Sequence, residues 1–412
     1  MSDNLPLSDV KVLDLTRLLP GGFCSLLLAD FGAEVLKVED TGMGDYIRWA
    51  PPYYGSDEQQ TLGTRSALYL SLNRGKRSVR LDLKSEGGKE ALLRLVASHD
   101  VVLDGFRPGV LDRLGVGYER MREVNPGVVF CAITGYGQDG PYAQRAGHDM
   151  NYLGLVGLLG LTGAKDGPPV QSAGQIADLG GGALMAAFGV MAALHERQRS
   201  GEGQMVDVSM ADGALSWLAM VAGRYFCDEE VPRRGEQQLA GGLVCYLPYE
   251  AADGWVTCGA LEPKFWAAFC NGVERPDLIE RQFEAPGSEA WAEAAAIFRS
   301  RTRDEWLAFN DEHDCCIEPV LDLDEALDSE LVRARGMVVE LEQPELGTVR
   351  QLGNPVKMSR TPAEPTRPAP AFGEHTDEVL AEAGYSEAEI TAMKESGAAA
   401  GPTAGARGEF RA

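Results

Sequence analysis

Short apolar runs alternate with helical stretches along the first third of the chain. Residues 10–15 read as a buried strand, 23–31 as an apolar helix closed by Gly32, and 33–38 as a second strand, which together make a βαβ unit. The alternation continues with a strand at 79–83, a helix over 89–97, a strand at 101–103, a helix opened by Arg107-Pro108-Gly109, and a strand at 128–133. Strands and helices in strict alternation predict an α/β fold, an open parallel sheet with helices on both faces. Residues 41–62 carry no period, and their Gly, Pro and Tyr content predicts a long loop.

The pattern then changes. Residues 176–198 read as one helix rich in Gly, Ala and Met, followed by an element at 205–209 and a helix over 211–222. A charged stretch marks a linker at 229–238, so residues 1–228 form the first part of a large domain. Beyond it, two alternating segments flank Ala252-Asp253-Gly254, a hairpin signal, and helices follow at 262–271, 289–299 and 303–312. This is a smaller α+β domain, 239–335. The segment 336–394 holds a strand at 347–352, an extended Pro-rich run at 361–370 and two short helices, and the Gly/Ala-rich tail 395–412 is expected to be disordered.

Composition narrows the partners. A chain of 412 residues with 44% hydrophobic and 24% charged residues is that of a folded soluble protein of two or three domains. A net charge of −24 argues against nucleic acid or an anionic membrane surface as partner, so any anionic ligand needs locally clustered cations. The polar N-terminus predicts no secretory segment, and no run is expected to reach the roughly 18 apolar residues of a membrane span. Eight cysteines without CxxC spacing speak against a zinc site or disulfide framework, and a cytoplasmic location is expected.

The chemistry concentrates in Gly147-His148-Asp149 and in Asp178, which opens the long small-residue helix. An imidazole and a carboxylate from two nearby segments can take a proton from one face of a carbon and return it to the other. Asp178 is also a plain helix-capping residue in type, and Glu262, between a strand and a helix, reads on its own as a first-turn acid favoured by the helix dipole. Gly135-Tyr136-Gly137-Gln138-Asp139-Gly140 matches GxGxxG, but it follows the fifth strand and leads into Pro141 rather than an apolar helix, so a nicotinamide cofactor is rejected. Its glycines instead let backbone pass close to a bulky ligand. Lys37, Arg74, Lys76, Arg77, Arg107 and Arg113 are the local cations, with 73–78 a basic turn suited to phosphate.

Together these stretches resemble the family III CoA-transferase superfamily, over about residues 8–390. The shared motifs are Val12-Leu13-Asp14-Leu15-Thr16, Phe31-Gly32-Ala33-Glu34-Val35, Asn73-Arg74-Gly75-Lys76-Arg77-Ser78, Arg107-Pro108-Gly109 and the Thr134–Pro141 stretch. Gly147-His148-Asp149, Ala177-Asp178-Leu179-Gly180-Gly181-Gly182, Gly259-Ala260-Leu261-Glu262-Pro263-Lys264-Phe265 and Asp314-Cys315-Cys316-Ile317-Glu318-Pro319-Val320 resemble its α-methylacyl-CoA racemase branch. The resemblance implies a Rossmann-like large domain built from both chain ends, a small inserted domain, and a homodimer of interlocked rings. It implies an acyl-CoA thioester substrate, with His148 and Asp178 as the acid–base pair, Glu262 orienting the imidazole and Asp149 as polar support. It further implies that Lys37, Arg74, Lys76, Arg77, Arg107 and Arg113 hold the CoA phosphates, and that Gly135, Tyr136 and Gly137 accommodate pantetheine. Neither metal nor separate cofactor is expected. The rival within the superfamily is a CoA transferase in which Asp178 is the nucleophile, passing through an anhydride and an aspartyl-CoA thioester. His148 and Glu262 weigh toward the racemase.

Overall fold

The computed structural model describes residues 5–55, 65–365 and 367–402. Residues 56–62 of the expected loop, Thr366 of the Pro-rich run and residues 403–412 of the expected tail lie outside the described residues. The chain divides into two compact units, the first made of residues 1–156, 174–216 and 331–412, the second of 157–173 and 217–330.

Six parallel strands centre the first unit: β1 Lys11–Asp14, β2 Glu34–Glu39, β3 Lys76–Leu81, β4 Val101–Asp104, β5 Val129–Thr134 and β6 Met205–Ser209. Their order is β3-β2-β1-β4-β5-β6, the doubly wound order in which the chain reverses direction between β1 and β4. Strands β3, β4 and β5 are buried along their whole length, as strands covered on both faces must be. Leu13, Leu36, Val79, Val102 and Phe130 pack with Leu92 and Leu95 of the helix Glu86–Val96 in one core. Strand β3 begins earlier than the apolar pattern implies, because Lys76 and Arg77 are themselves ladder residues, paired with Val35 and Leu36.

The chain's last described residues return to this sheet. Ala399–Ala400, within the stretch expected to be tail, pairs antiparallel with Leu81 and Arg80 of β3 and closes the sheet edge. Elsewhere in the first unit Val338–Gln343 and Gly347–Leu352 form an antiparallel hairpin.

The second unit holds a three-stranded antiparallel sheet, Tyr246–Glu250, Trp255–Gly259 and Ile317–Pro319. Helices Pro263–Gly272, Glu289–Phe298 and Arg303–His313 supply Trp266, Phe269, Phe298 and Trp306 to its core. The passage into this unit comes earlier than the charged linker: the expected helix over 211–222 is broken into Met210–Ser216 and Ala219–Asp228, and the chain leaves the first unit at the break.

Residues Ile176–Ser200 form a helical run of 25 residues, long and apolar enough by length and composition to cross a membrane. Small residues supply that length, which is why large apolar side chains do not reveal it in the sequence. Gly180, Gly181, Gly182, Ala183, Ala186 and Val190 are buried within the first unit, whereas Leu184, Phe188 and Met191 are exposed.

Candidate active site

Strand β5 ends at Thr134, and the turn after it is built for close approach. Gly137 adopts φ +87°, a left-handed conformation that side chains disfavour, and its N–H donates to Thr134 Oγ1 at 3.1 Å. Gly135 lies against the Tyr152 ring, where a Cβ would come within 2.6 Å of Cε1. Tyr136 meets Tyr152 edge-to-face, centroids 5.1 Å apart at 84°, and the Tyr152 hydroxyl donates to Gly147 O at 2.6 Å. Gly147 is held equally tightly, since a Cβ there would lie 2.7 Å from Tyr152 and 2.9 Å from the Tyr136 hydroxyl. The tyrosine pair thus fixes the backbone immediately before His148.

His148 caps the helix Asp149–Leu155, and its N–H donates to Asn151 Oδ1 at 3.0 Å. Its side chain is exposed, whereas Asp149 beside it is buried. Asp149 Oδ1 accepts two backbone N–H groups, from Ala177 at 2.7 Å and Asp178 at 3.1 Å. Those amides open Ile176–Leu184, a π-helical segment that runs into the α-helix Met185–Ser200. π-Helical turns are rare and concentrate at functional sites. Here the wider turn coincides with a backbone-to-backbone contact: a Cβ on Gly181 would stand 2.6 Å from Met210 O, and one on Gly213 would stand 2.1 Å from Gly181 O. Asp178 lies in the first π-helical turn, partly buried. Burial, then the neighbouring Asp149 charge, push its carboxyl up to about 6 against the pull of His148. Tyr152 is also raised, by burial first and then by Asp178.

The structure therefore brings His148, Asp149 and Asp178 together in the first unit with Gly135, Tyr136 and Gly137. Glu262 belongs to the second unit, where it caps Pro263–Gly272 with an exposed side chain beside Cys316 and Lys264.

The cations divide into two groups. Lys37 is fully buried, 2.9 Å from Asp45 and 3.0 Å from Thr16 O. Arg74 binds Asp30 through two bonds of 3.0 and 2.8 Å, and Lys76 reaches Asp14 at 3.3 Å and Asn73 at 2.9 Å. Arg77 is bound by Glu34 and Glu382 at 2.9 and 3.0 Å. These four, expected to face phosphate, are instead satisfied inside the protein. Burial holds Lys76 down at about 8, while Lys37 and Lys76 keep Asp14 at about 2 although burial opposes them. Arg107 and Arg113 are exposed, and neither forms an ion pair among the described residues.

Sequence reading did not single out a second feature, a cleft of about 110 Å³ lined by Leu15, Arg17, Asp40, Lys84, Phe106 and Leu114. It lies at the carboxyl ends of β1 to β4, where the direction of winding reverses and where such sheets take their ligands. Arg17 spans it, bonded to Asp40 at 2.7 Å with its guanidinium 5.7 Å from the Phe106 ring centroid. The usable signal was positional: these residues follow the ends of strands. Among the described residues no three His, Cys, Asp or Glu side chains converge as a metal would require.

A doubly wound sheet with a cleft at its reversal point, and a glycine turn leading to an imidazole and a carboxylate, defines an α/β protein of the doubly wound class. The chain belongs to CoA-transferase family III, whose model matches residues 7–376. It is 37% identical over 397 residues to the alpha-methylacyl-CoA racemase of Mus musculus, covering 93% of this chain and 95% of that one. It is also 37% identical over 390 residues to the succinyl-CoA:mesaconate CoA-transferase of Haloarcula marismortui, covering 92% and 96%. The crystal structure of a CAIB/BAIF family protein from Brucella suis superposes with a TM-score of 0.80 at 30% identity, covering 92% of this chain and 100% of that one. Racemases and CoA-transferases thus stand at similar distance.

Proposed function

We propose that the protein is a racemase of 2-methylacyl-CoA thioesters, moving one proton across the α-carbon. The observation that carries the reading is the pairing of His148 with Asp178, a carboxyl raised to about 6 by burial and by Asp149. One member takes the α-proton, and the electron pair of the broken C–H bond delocalises onto the thioester oxygen as an enolate. The other member then gives its proton to the opposite face. A carboxyl poised near neutrality serves both directions, because it can start either protonated or charged.

The rival is acyl-CoA transfer with Asp178 as nucleophile, and the Haloarcula relative favours it. That route uses Asp178 as the charged nucleophile and gives His148 no role. On the racemase reading Arg107 and Arg113 serve the phosphates and the strand-end cleft takes the nucleotide portion. The active form is a homodimer in a reducing cytoplasm. Free thiols at all eight cysteines fit that compartment, and exposed apolar side chains such as Phe188 at 73% and Phe226 at 79% fit a covered surface.

The test is incubation with (2R)-2-methylacyl-CoA in D₂O without acceptor acid, followed by NMR. Deuterium at the α-carbon with appearance of the 2S epimer is expected, falling by about 100-fold or more in His148→Ala and in Asp178→Asn. CoA transfer to an added carboxylic acid without α-exchange overturns the reading.

A further inference from the structure

Asp149 is 2% exposed, yet only one of its oxygens is used. Oδ1 accepts the Ala177 and Asp178 amides, while Oδ2 has no hydrogen-bond partner among the described residues. A buried carboxylate bonded through a single oxygen is a costly way to cap a helix, because an amide oxygen would hold the same two N–H groups without burying a charge. The charge therefore needs an explanation separate from the hydrogen bonds. Sequence position supplies the other half of the argument. Asp149 follows His148 directly, and one of the amides it holds is that of Asp178, so one side chain ties the two segments that carry the acid–base pair.

We propose that Asp149 is a positioning residue with two separable tasks: its Oδ1 sets the spacing of His148 and Asp178, and its charge strengthens the hold of Asp178 on its proton. This rests on the racemase reading. The groups acting on Asp178 are His148 and Asp149, with Tyr152 from the same helix and, next to Tyr152, Tyr136 and Arg107. Other titratable groups on the packed elements have different partners. Asp30 of the first helix is bound by Arg74, and Cys131 of β5 faces Asp104 and Asp207. Asp212 of Met210–Ser216 also faces Asp207, and the charged end of Met185–Ser200 begins only at His195. Asp149 is thus the negative charge that Asp178 meets.

Two variants divide the tasks. Asp149→Asn keeps an acceptor oxygen for both amides and removes the charge, whereas Asp149→Ala removes both. The first readout is the carboxyl ¹³C titration of Asp178 in the substrate-free protein, assigned by its loss in Asp178→Asn. The second is the pH profile of α-deuterium exchange. In Asp149→Asn the Asp178 midpoint is expected to fall from about 6 toward the ordinary carboxylate range, with the acid limb of exchange moving by the same amount. In Asp149→Ala exchange is expected to fall by a further factor of about 100, the cost of misplacing a reacting group by ~1 Å. An unchanged midpoint in Asp149→Asn overturns the charge role, and equal exchange in the two variants overturns the spacing role. Should Asp149→Ala fail to fold, the Asn titration still decides the first. Because that titration uses no substrate, it judges Asp149 even if the wild-type protein shows no α-exchange and the racemase reading fails.

Discussion

Asp104 ends β4 with its carboxyl 6% exposed, accepting the Phe106 N–H at 2.8 Å. Burial pushes it up to about 7, so the folded protein holds this proton far more tightly than the unfolded chain. Between an unfolded value near 3.8 and the folded value of about 7 the unfolded state loses the proton first, so stability falls as pH rises through that window and stays lower above it. Asp104→Asn keeps the bond to Phe106 and removes the titration. Relative to wild type it should gain on the order of 4 kcal/mol between pH 4 and pH 8, read from urea midpoints at the two pH values. The buried cations make the opposite case. Arg74→Met leaves Asp30 charged and 2% exposed, and should cost about 3–5 kcal/mol, most of it recovered in Arg74→Met/Asp30→Leu. At this scale the sequence was a partial guide. His148 and Asp178 stand out by their place beside a glycine-rich run, although Asp178 by type alone also reads as a helix cap. Lys37, Arg74, Lys76 and Arg77 could not be sorted from Arg107 and Arg113, because their carboxylate partners Asp45, Asp30, Asp14 and Glu382 lie 8, 44, 62 and 305 positions away, as 45 − 37, 74 − 30, 76 − 14 and 382 − 77 show.

Secondary structure shows the same division between local and distant causes. The helical character of residues 176–198 is written in their composition, but the π-helical geometry of Ile176–Leu184 is not, because it accompanies contact with Met210–Ser216. Gly181→Ala would drive a Cβ to 2.6 Å from Met210 O and 2.8 Å from Ala214 N, backbone atoms that cannot swing aside. It should cost about 1–3 kcal/mol and reduce α-exchange, since Asp178 lies three residues upstream, as 181 − 178 shows. Gly223→Ala, with nothing within 4 Å of the new methyl, should be neutral or stabilising by about 0.5–1 kcal/mol, so melting temperatures of the pair separate crowding from helix propensity. Strand Gly347–Leu352 was readable while its partner Val338–Gln343 was not. Both have half-exposed patterns, and only the pairing itself makes them a hairpin.

For the whole molecule, the α/β class followed from the strand–helix alternation, and the division into units followed only in outline. The charged stretch 229–238 is conspicuous in composition, yet the chain changes unit at 216/217, where a helical pattern breaks without any charge to mark it. The net charge of −24 has its own consequence. The strongest ion pairs, Lys37–Asp45, Arg48–Glu39 and Arg74–Asp30, are buried and weakly screened, whereas the surplus acidic residues repel across water. Raising NaCl from about 0.05 M to about 1 M should therefore raise the melting temperature, and a fall in calorimetry would show that surface pairs dominate. The return of Ala399–Ala400 to the edge of β3 bears on synthesis as well. As the chain emerges from the ribosome, the second unit is complete once residue 330 has appeared, and it can collapse on its own core. The first unit, begun earlier, keeps the β3 edge bare until Ala399–Ala400 have appeared. The unit begun first is thus completed second, and the nascent sheet has an open edge while residues 331–398 are being added.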